Sequence, residues 1–254
     1  MEDGEVIELG HGRPLEFIHT RGHAKHHFVV HDSASRRYTN RTHPKNCVQW
    51  LSIPVIPEAL HLTNSFYVIF VTSVFTGDAF GISYRPILRN YRLTEKTKPF
   101  RFMGFSFGSL PENMKDFLFP SSSPVDFEPL EAHKAVDRIL ATKAERAYLT
   151  HGGVWDDMNL GAMQMHYGIQ QFDLIMQDLI ARMKDAEARN IPLDEDGLHQ
   201  HALSKMRRFF EEELQKHGLK HEEPEIWDLL ATDIELNAQG LVIAAKNFKN
   251  APRL

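Results

Sequence analysis

Between residues 17 and 27 the sequence reads Phe-Ile-His-Thr-Arg-Gly-His-Ala-Lys-His-His, with four histidines in nine residues. This stretch lies between two short apolar runs typical of β-strands, and Gly22 permits a tight turn between them. Two later segments, Val74–Asp78 and Tyr148–Gly153, also run from β-type residues through a small residue to one ligand-type side chain. Side chains at strand ends can converge, and His and Asp are donors that zinc and iron accept. The three segments therefore predict a metal site.

The bulk composition indicates a globular protein and excludes several classes. The 254 residues allow one large domain or two modest ones, and the net charge of −5 with mixed signs disfavours nucleic-acid binding. The single Cys47 excludes a disulfide framework and fits a reducing compartment. The acidic start, Met1–Glu5, lacks the basic region of a signal peptide, and the most apolar run, Phe66–Phe75, is too short for a membrane span. We therefore expect a cytoplasmic protein with no membrane partner.

Hydrophobic periodicity predicts strands in the first part of the chain and helices beyond Val154. The predicted strands are 5–10, 14–19, 26–31 and 147–150, with turns at 10–14 and 32–35. A helix over 129–141 begins at Pro129, with an apolar face of Leu130, Val136, Ile139 and Leu140. Three further helices follow: one that begins after Asp156 or Asp157 and ends at 190–192, one over 195–217, and one over 223–248.

Residues 38–73 interrupt this pattern, because they contain three prolines and show no clean period. Without them Arg37 would join Val74, and the flanking runs would form an ordinary hairpin. We interpret 38–73 as an insertion, since loops of this length are unusual in compact domains. It is either translated non-coding sequence or a surface excursion with a short strand of its own. The predicted domains are 1–153, containing this insertion, and a helical subdomain, 154–254.

Taken together and in this order, the three ligand-bearing segments resemble elements of the metallo-β-lactamase-fold hydrolases. His-Thr-Arg-Gly-His-Ala is similar to that family's His-Thr-Pro-Gly-His-Ala element. Phe-Thr-Gly-Asp resembles its bridging-aspartate element, and Leu-Thr-His-Gly-Gly its final histidine element. The resemblance covers residues 5–37, 74–86 and 117–250. It implies an α/β protein with a metallo-β-lactamase-like αββα sandwich and an α-helical C-terminal subdomain.

The resemblance also implies residue roles and a reaction. His23 would be a ligand of the first metal, Asp78 would bridge both metals and act in catalysis, and His151 would be a ligand of the second. The residues expected near the substrate are His19, Tyr84 and Arg85. The implied cofactor is zinc, or iron or manganese, with one or two ions per site. The implied activity is attack of a metal-bound hydroxide on an ester, thioester, lactone, amide or phosphoester of a small-molecule substrate.

The chain departs from the family at its leading ligand motif, His-x-His-x-Asp-His, which is absent. Arg21 also stands where the family usually has Pro. We therefore expect an incomplete sandwich that lacks the N-terminal half, leaves sheet surface exposed, and gives each metal two protein ligands fewer than in the family. Two functions stay open at this point. One is a metal-dependent hydrolase, and the other is a non-catalytic binding or dimerisation module, for example a homodimer, with a degenerate metal site.

Overall fold

The structure is a computed structural model that describes residues 2–10, 12–40, 66–84, 100–102, 105–107, 116–122, 127–220 and 222–250. The described part is a mixed α/β protein with a six-stranded sheet, a two-stranded sheet and four helices. The strands are β1 (Glu5–Glu8), β2 (Pro14–His19), β3 (Phe28–Asn40), β4 (Phe66–Gly77), β5 (Phe100–Phe102), β6 (Phe105–Phe107), β7 (Arg146–Leu149) and β8 (Gly153–Trp155). The helices are α1 (Pro129–Ala141), α2 (Met158–Ala188), α3 (Glu195–Lys216) and α4 (Pro224–Asn250).

The order of the larger sheet is β1-β2-β3-β4-β7-β8, and β5 pairs with β6 in the smaller one. Strand β3 is antiparallel to both β2 and β4, whereas β4 and β7 are parallel. Strands β2, β4 and β7 therefore run in the same direction. Because strands of one direction end at the same end of a sheet, the residues that follow these three strands are brought close together.

Most predicted elements are confirmed, but the turn predicted at 32–35 is wrong. Strand β3 continues through these residues, and its register against β4 shifts between Asp32 and Ser35 as at a β-bulge. Asp32 is fully buried, pairs with Arg13 of the preceding turn, and accepts a hydrogen bond from the backbone N–H of Ala34 at 3.1 Å. A turn-type residue is thus held inside a strand by an ion pair with a half-exposed arginine.

The helices begin and end close to the predicted positions, for identifiable local reasons. Helix α1 has Pro129 at its start, and the carboxylates of Asp157 and Asp194 cap α2 and α3 by accepting bonds from backbone N–H groups three residues on. One predicted core residue is wrong, since Leu130 is 66% exposed. The buried face of α1 is instead formed by Pro129, Ala132, Ala135, Val136 and Ile139.

The core lies between the helices and one face of the large sheet. Val29, Val74 and Ala147, from three central strands, are fully buried in one hydrophobic cluster that also contains side chains of all four helices. On the other face Phe75 stacks on Tyr148 with ring centroids 4.9 Å apart and is 44% exposed. The sheet therefore has one covered face and one partly open aromatic face.

The proposed insertion is only partly described. Residues 38–40 belong to β3 and 66–73 to β4, and these pair with each other up to Asn40 and Phe66. Residues 41–65 lie outside the described residues, so the insertion stays a prediction, as does the division of the chain at residue 153. Within the described ranges, no helix is both long and apolar enough to cross a membrane.

Candidate functional site

The structure brings the three predicted metal ligands together at one end of the large sheet. His23 lies in the loop after β2, Asp78 directly follows β4, and His151 follows β7. Nε2 of His23 is 3.5 Å from Oδ2 of Asp78, and Nε2 of His151 is 3.8 Å from Oδ1 of Asp78. The carboxylate of Asp78 therefore faces one imidazole with each of its oxygens.

His23 is held in a defined protonation arrangement by a backbone carbonyl. Its Nδ1 lies 3.1 Å from the carbonyl oxygen of Ser121, and a carbonyl can only accept, so Nδ1 must carry the hydrogen. In the neutral ring, Nε2 then presents its lone pair to Asp78. A metal-binding histidine usually donates its other ring N–H to a carbonyl or carboxylate, as Nδ1–H of His23 does here. Gly22, at φ +124°, lets the loop pack against the backbone of Ala132, where a Cβ would overlap helix α1.

His27 supports Asp78 from behind. The backbone N–H of Asp78 donates to Nε2 of His27 at 3.3 Å, so Nδ1 carries the hydrogen and donates to Oγ1 of Thr20 at 2.9 Å. Burial lowers the pKa of His27, a positive charge on the neighbouring His23 would lower it further, and the Asp78 carboxylate raises it. Gly77, at φ +53°, is needed because a Cβ there would overlap the His27 ring. Since both ring nitrogens are engaged, His27 positions Asp78 and leaves metal binding to its neighbours.

His151 is fixed less firmly than His23. The backbone N–H of Ser83 donates to the carbonyl oxygen of His151 at 2.9 Å, and Gly152 packs so closely on Ser83 that a Cβ would overlap it. These contacts place the backbone of His151, but its side chain is 56% exposed. The His151 side of the site is therefore the one that faces solvent.

Asp78 carries an unpaired buried atom between the two histidines. Its side chain is 26% exposed, yet Oδ1 is buried and has no hydrogen-bond partner among the described residues. A buried carboxylate oxygen without a partner is costly unless a proton, a water molecule or a cation compensates it. This oxygen is the one that faces His151.

A short buried segment, residues 116–122, runs beside His23. Two backbone hydrogen bonds between Ile82 and Phe119, of 2.9 and 3.1 Å, join this segment to the loop that follows β4. Gln164 of α2 accepts from the N–H of Leu118 at 2.8 Å and donates to the carbonyl of Asp116 at 3.1 Å. Asn237 of α4 accepts from the N–H of Ser122 at 2.6 Å. Two buried amide side chains thus fix the segment that contacts His23.

Tyr84 and Asp233 form a second polar pair beside the site. The Tyr84 hydroxyl donates to Oδ2 of Asp233 on α4 at 2.7 Å. Burial raises the pKa of Asp233, and the nearby charge of Asp78 adds to this, while the bonds from Tyr84 and the charge of His151 lower it. Burial and the Asp233 carboxylate also raise the pKa of Tyr84. The phenol of Tyr84 is therefore a neutral donor already engaged with Asp233.

Of the other two predicted substrate residues, the structure describes only His19, which lies beside Asp3. The backbone N–H of His19 donates at 2.8 Å to Asp3, whose carboxylate also pairs with Arg138 of α1 at 2.7 Å. His19 therefore lies next to Asp3 and Arg138. Arg85 lies outside the described residues.

The interior side of the site has almost no free volume. A cavity of about 10 Å³ adjoins His23 and Asp78 and is closed by Ala79, Pro120 and Met165. A space of this size holds about one water molecule. Among the described residues, the side of Asp78 that is open to a substrate is therefore the one at His151.

The donor atoms fit a metal ion in pairs. Two ligand atoms at about 2.0–2.2 Å from one ion in tetrahedral geometry lie roughly 3.3–3.6 Å apart. The 3.5 Å between His23 and Asp78 lies in this range, and the 3.8 Å between His151 and Asp78 is slightly longer. However, the described part of the chain has no group of three or more His, Cys, Asp or Glu side chains arranged to hold one ion. Each pair therefore offers two donor atoms to one ion, fewer than the three or four protein ligands that zinc sites usually provide.

Comparisons with known proteins give little support of their own. No protein-family model matches the chain, and no curated protein matches it. Among solved structures, it is similar to an archaeal metallo-β-lactamase superfamily protein from Sulfolobus tokodaii, with 17% sequence identity and a TM-score of 0.31. The alignment covers 67% of this chain and 38% of that one, so this chain spans well under half of that protein. A TM-score this low does not establish a shared fold, and the function must rest on the site's geometry.

Two buried polar residues that support the site, Asn237 and Gln164, belong to none of the motifs recognised in the sequence. Asn237 and Gln164 are 1% and 8% exposed and lie on the apolar faces of α4 and α2. Asn237 falls three residues after Ile234 and four before Leu241, both of which are buried. A polar side chain at such a position needs a buried partner, and this signal is present in the sequence.

Proposed function

We propose that the chain is a metal-dependent hydrolase of the metallo-β-lactamase superfamily that acts on a small-molecule substrate. The observation that carries the proposal is the carboxylate of Asp78, whose two oxygens face Nε2 of His23 at 3.5 Å and Nε2 of His151 at 3.8 Å. With Nδ1 of His23 hydrogen-bonded to a carbonyl, a neutral His23 places a lone pair opposite a carboxylate oxygen. Two acceptors facing each other repel unless a proton or a cation lies between them.

In this proposal the cation is zinc, or iron or manganese, with one or two ions per site. His23 and Asp78 would hold one ion, and Asp78 and His151 the other. Such ions polarise a substrate oxygen and lower the pKa of water toward about 7. The proposed substrates are esters, thioesters, lactones, amides or phosphoesters.

The chain's own residues would position the reaction. His27 holds the backbone of Asp78, and the Ser121 carbonyl fixes the ring of His23. Oδ1 of Asp78 is buried without a hydrogen-bond partner in the described ranges, and a cation held between it and His151 would compensate its charge. The exposed side of the site, at His151, would admit the substrate, because the interior cavity has room for only about one water.

The proposed fold is an αββα sandwich to which this chain contributes one sheet and its covering helices. The partly open face with Phe75 and Tyr148 would then be the face on which a second sheet packs. A cytoplasmic location remains part of the proposal, based on composition.

A non-catalytic binding or dimerisation module is the second candidate. One observation favours it: the described residues contain no three-ligand group for a metal. In this case the His-Asp-His arrangement would be a degenerate site, and His23 and Asp78 would form an ion pair with a protonated imidazole.

Metal content and turnover separate the two functions. The purified chain, freed of metal with a chelator, is titrated with zinc by calorimetry and then assayed against a panel of esters and phosphodiesters. The hydrolase predicts at least one zinc ion per chain and turnover that depends on it. Both should be lost when His23 and His151 are changed together to Ala.

A matched control is available between helices α3 and α4. His199 on α3 pairs with Glu235 on α4 at 3.0 Å, so it is also a histidine–carboxylate pair. His199→Ala should leave zinc binding and turnover unchanged. A wild-type chain that takes up no zinc above the level of the double variant, and has no turnover, would rule out the hydrolase and favour the module.

A further inference from the structure

We propose that Asn237 of helix α4 is a positioning residue for His23 and acts through the peptide group between Ser121 and Ser122. The carbonyl oxygen of this peptide group receives Nδ1–H of His23 at 3.1 Å, and its N–H donates to Oδ1 of Asn237 at 2.6 Å. The structural part of the inference stands alone. Its consequence for metal binding rests on the proposed function.

The two bonds involve opposite ends of one rigid unit. In a trans peptide the C=O and N–H point in opposite directions within one plane, and that plane turns as a whole. Asn237 on one side therefore fixes the direction of the carbonyl on the other. If the peptide turned, it would lose its bonds to both residues at once.

Asn237 is itself held in place by its surroundings. It is 1% exposed, and the hydroxyl of Ser122 donates both to its backbone carbonyl at 2.9 Å and to its Oδ1 at 3.0 Å. One turn further along α4, Gly240 lies so close to Ser122 that a Cβ would overlap the carbonyl oxygen of Ser122. The helix and the segment 116–122 are thus in direct backbone contact around this residue.

The chemical consequence concerns the tautomer of His23. A correctly aimed Ser121 carbonyl keeps the hydrogen on Nδ1 and leaves Nε2 free to face Asp78. If the carbonyl turned away, the hydrogen could move to Nε2 and would then point at Oδ2 of Asp78. The ring could no longer offer a lone pair at that position. In this way a residue in the C-terminal helix controls whether a ring more than 200 positions earlier in the sequence can bind a metal.

The test reads the tautomer directly by nitrogen-15 NMR of the histidine rings in the full chain, with and without zinc. His23→Gln identifies the signals. The wild-type protein without zinc should show His23 with its hydrogen on Nδ1. Asn237→Leu keeps the side-chain size but removes the acceptor, and should shift His23 toward a mixture of tautomers. Its zinc affinity should fall by about 10- to 100-fold, as for loss of groups that orient a metal ligand.

Two further variants separate positioning from general packing. Asn237→Asp keeps an acceptor oxygen in place and should restore the tautomer toward the wild-type value. Gln239→Leu alters the exposed side of the same helix, where the Gln239 amide donates to Glu235 at 2.6 Å, and should change neither readout. If Asn237→Asp behaves no better than Asn237→Leu, the acceptor is irrelevant and the inference is overturned.

The inference stays testable even if Asn237→Leu does not fold, because the wild-type measurement alone can overturn it. A wild-type His23 that carries no hydrogen on Nδ1 would contradict the bond to Ser121. The two proposals also fail separately. If the wild-type chain binds no zinc but its His23 tautomer still responds to Asn237→Leu, the hydrolase is wrong and the positioning role holds. If zinc binds and the tautomer is unmoved by Asn237→Leu, the positioning role is wrong and the hydrolase stands.

Discussion

The two histidines that face Asp78 lie in opposite kinds of surroundings. The side chain of His23 is 14% exposed, and its second ring nitrogen is bonded to a buried carbonyl. The side chain of His151 is 56% exposed, and the hydrogen bond that this residue accepts from Ser83 is made by its backbone carbonyl. One half of the site is therefore preorganised, whereas the other half is open to solvent and to a substrate.

The contrast follows from what covers each loop. The loop of His23 is enclosed by α1 on one side, where Gly22 approaches Ala132, and by the segment 116–122 on the other. His151 lies in the short connection from β7 to β8, and β8 is at the edge of the sheet. Preorganised ligands bind a metal more tightly because less ordering free energy is lost. The His23 half should therefore dominate affinity, and the His151 half should dominate access.

The largest effect should come from the residue that both halves share. Asp78→Asn keeps the shape of the side chain but removes the charge that faces both imidazoles. We expect zinc binding to be lost, with affinity reduced by at least about 100-fold, since changes to groups that only orient ligands already cost about 10- to 100-fold. Calorimetric titration of the metal-free chain measures this. Stoichiometric zinc in Asp78→Asn would show that the ion binds elsewhere.

The second prediction tests the asymmetry itself. His23→Ala should reduce zinc affinity by about 100-fold, whereas His151→Ala should reduce it by only about tenfold, because an exposed and less ordered ligand contributes less. In His151→Ala the rate of hydrolysis should fall by a larger factor than the zinc affinity does. Equal losses of affinity in the two variants, measured in the same buffer, would contradict the view that one half is preorganised.

The sequence was informative about this site because its signals are local. Each ligand follows a strand-type run, and strands β2, β4 and β7 run in the same direction, so residues 23, 78 and 151 meet at one end of the sheet. The supporting contacts are not local. Asn237 and Ser122 are 115 positions apart, and Tyr84 and Asp233 are 149 apart, so no motif or periodicity specifies which residues pair.

Two errors have the same physical origin. Asp is a residue type that favours turns, but Asp32 is buried in β3 against Arg13. Leu is a residue type that favours the core, but Leu130 is exposed on α1. In both cases tertiary packing overrides a preference that the residue would have alone.

The smallest effect on zinc should come from the pair that lies beside the open half. Tyr84→Phe removes only the hydroxyl that donates to Asp233, and we expect zinc affinity to change by less than about threefold, since neither residue faces Asp78 within bonding distance.

The free energy of unfolding should respond to Tyr84→Phe instead. Burial raises the pKa of Asp233, with Asp78 adding to the rise and with Tyr84 and His151 opposing it. A raised pKa in the folded state means that Asp233 favours folding at acidic pH, below the unfolded value of about 3.9, and that this contribution is lost as pH rises through the folded pKa. At neutral pH the hydroxyl of Tyr84 offsets part of the cost of the buried charge. Tyr84→Phe should therefore lower the unfolding free energy by about 1.5–3 kcal/mol at pH 7 and by less near pH 4, where Asp233 takes up a proton. Urea unfolding at the two pH values measures the difference. A loss that is equal at both would show that Asp233 is not charged in the folded chain at neutral pH.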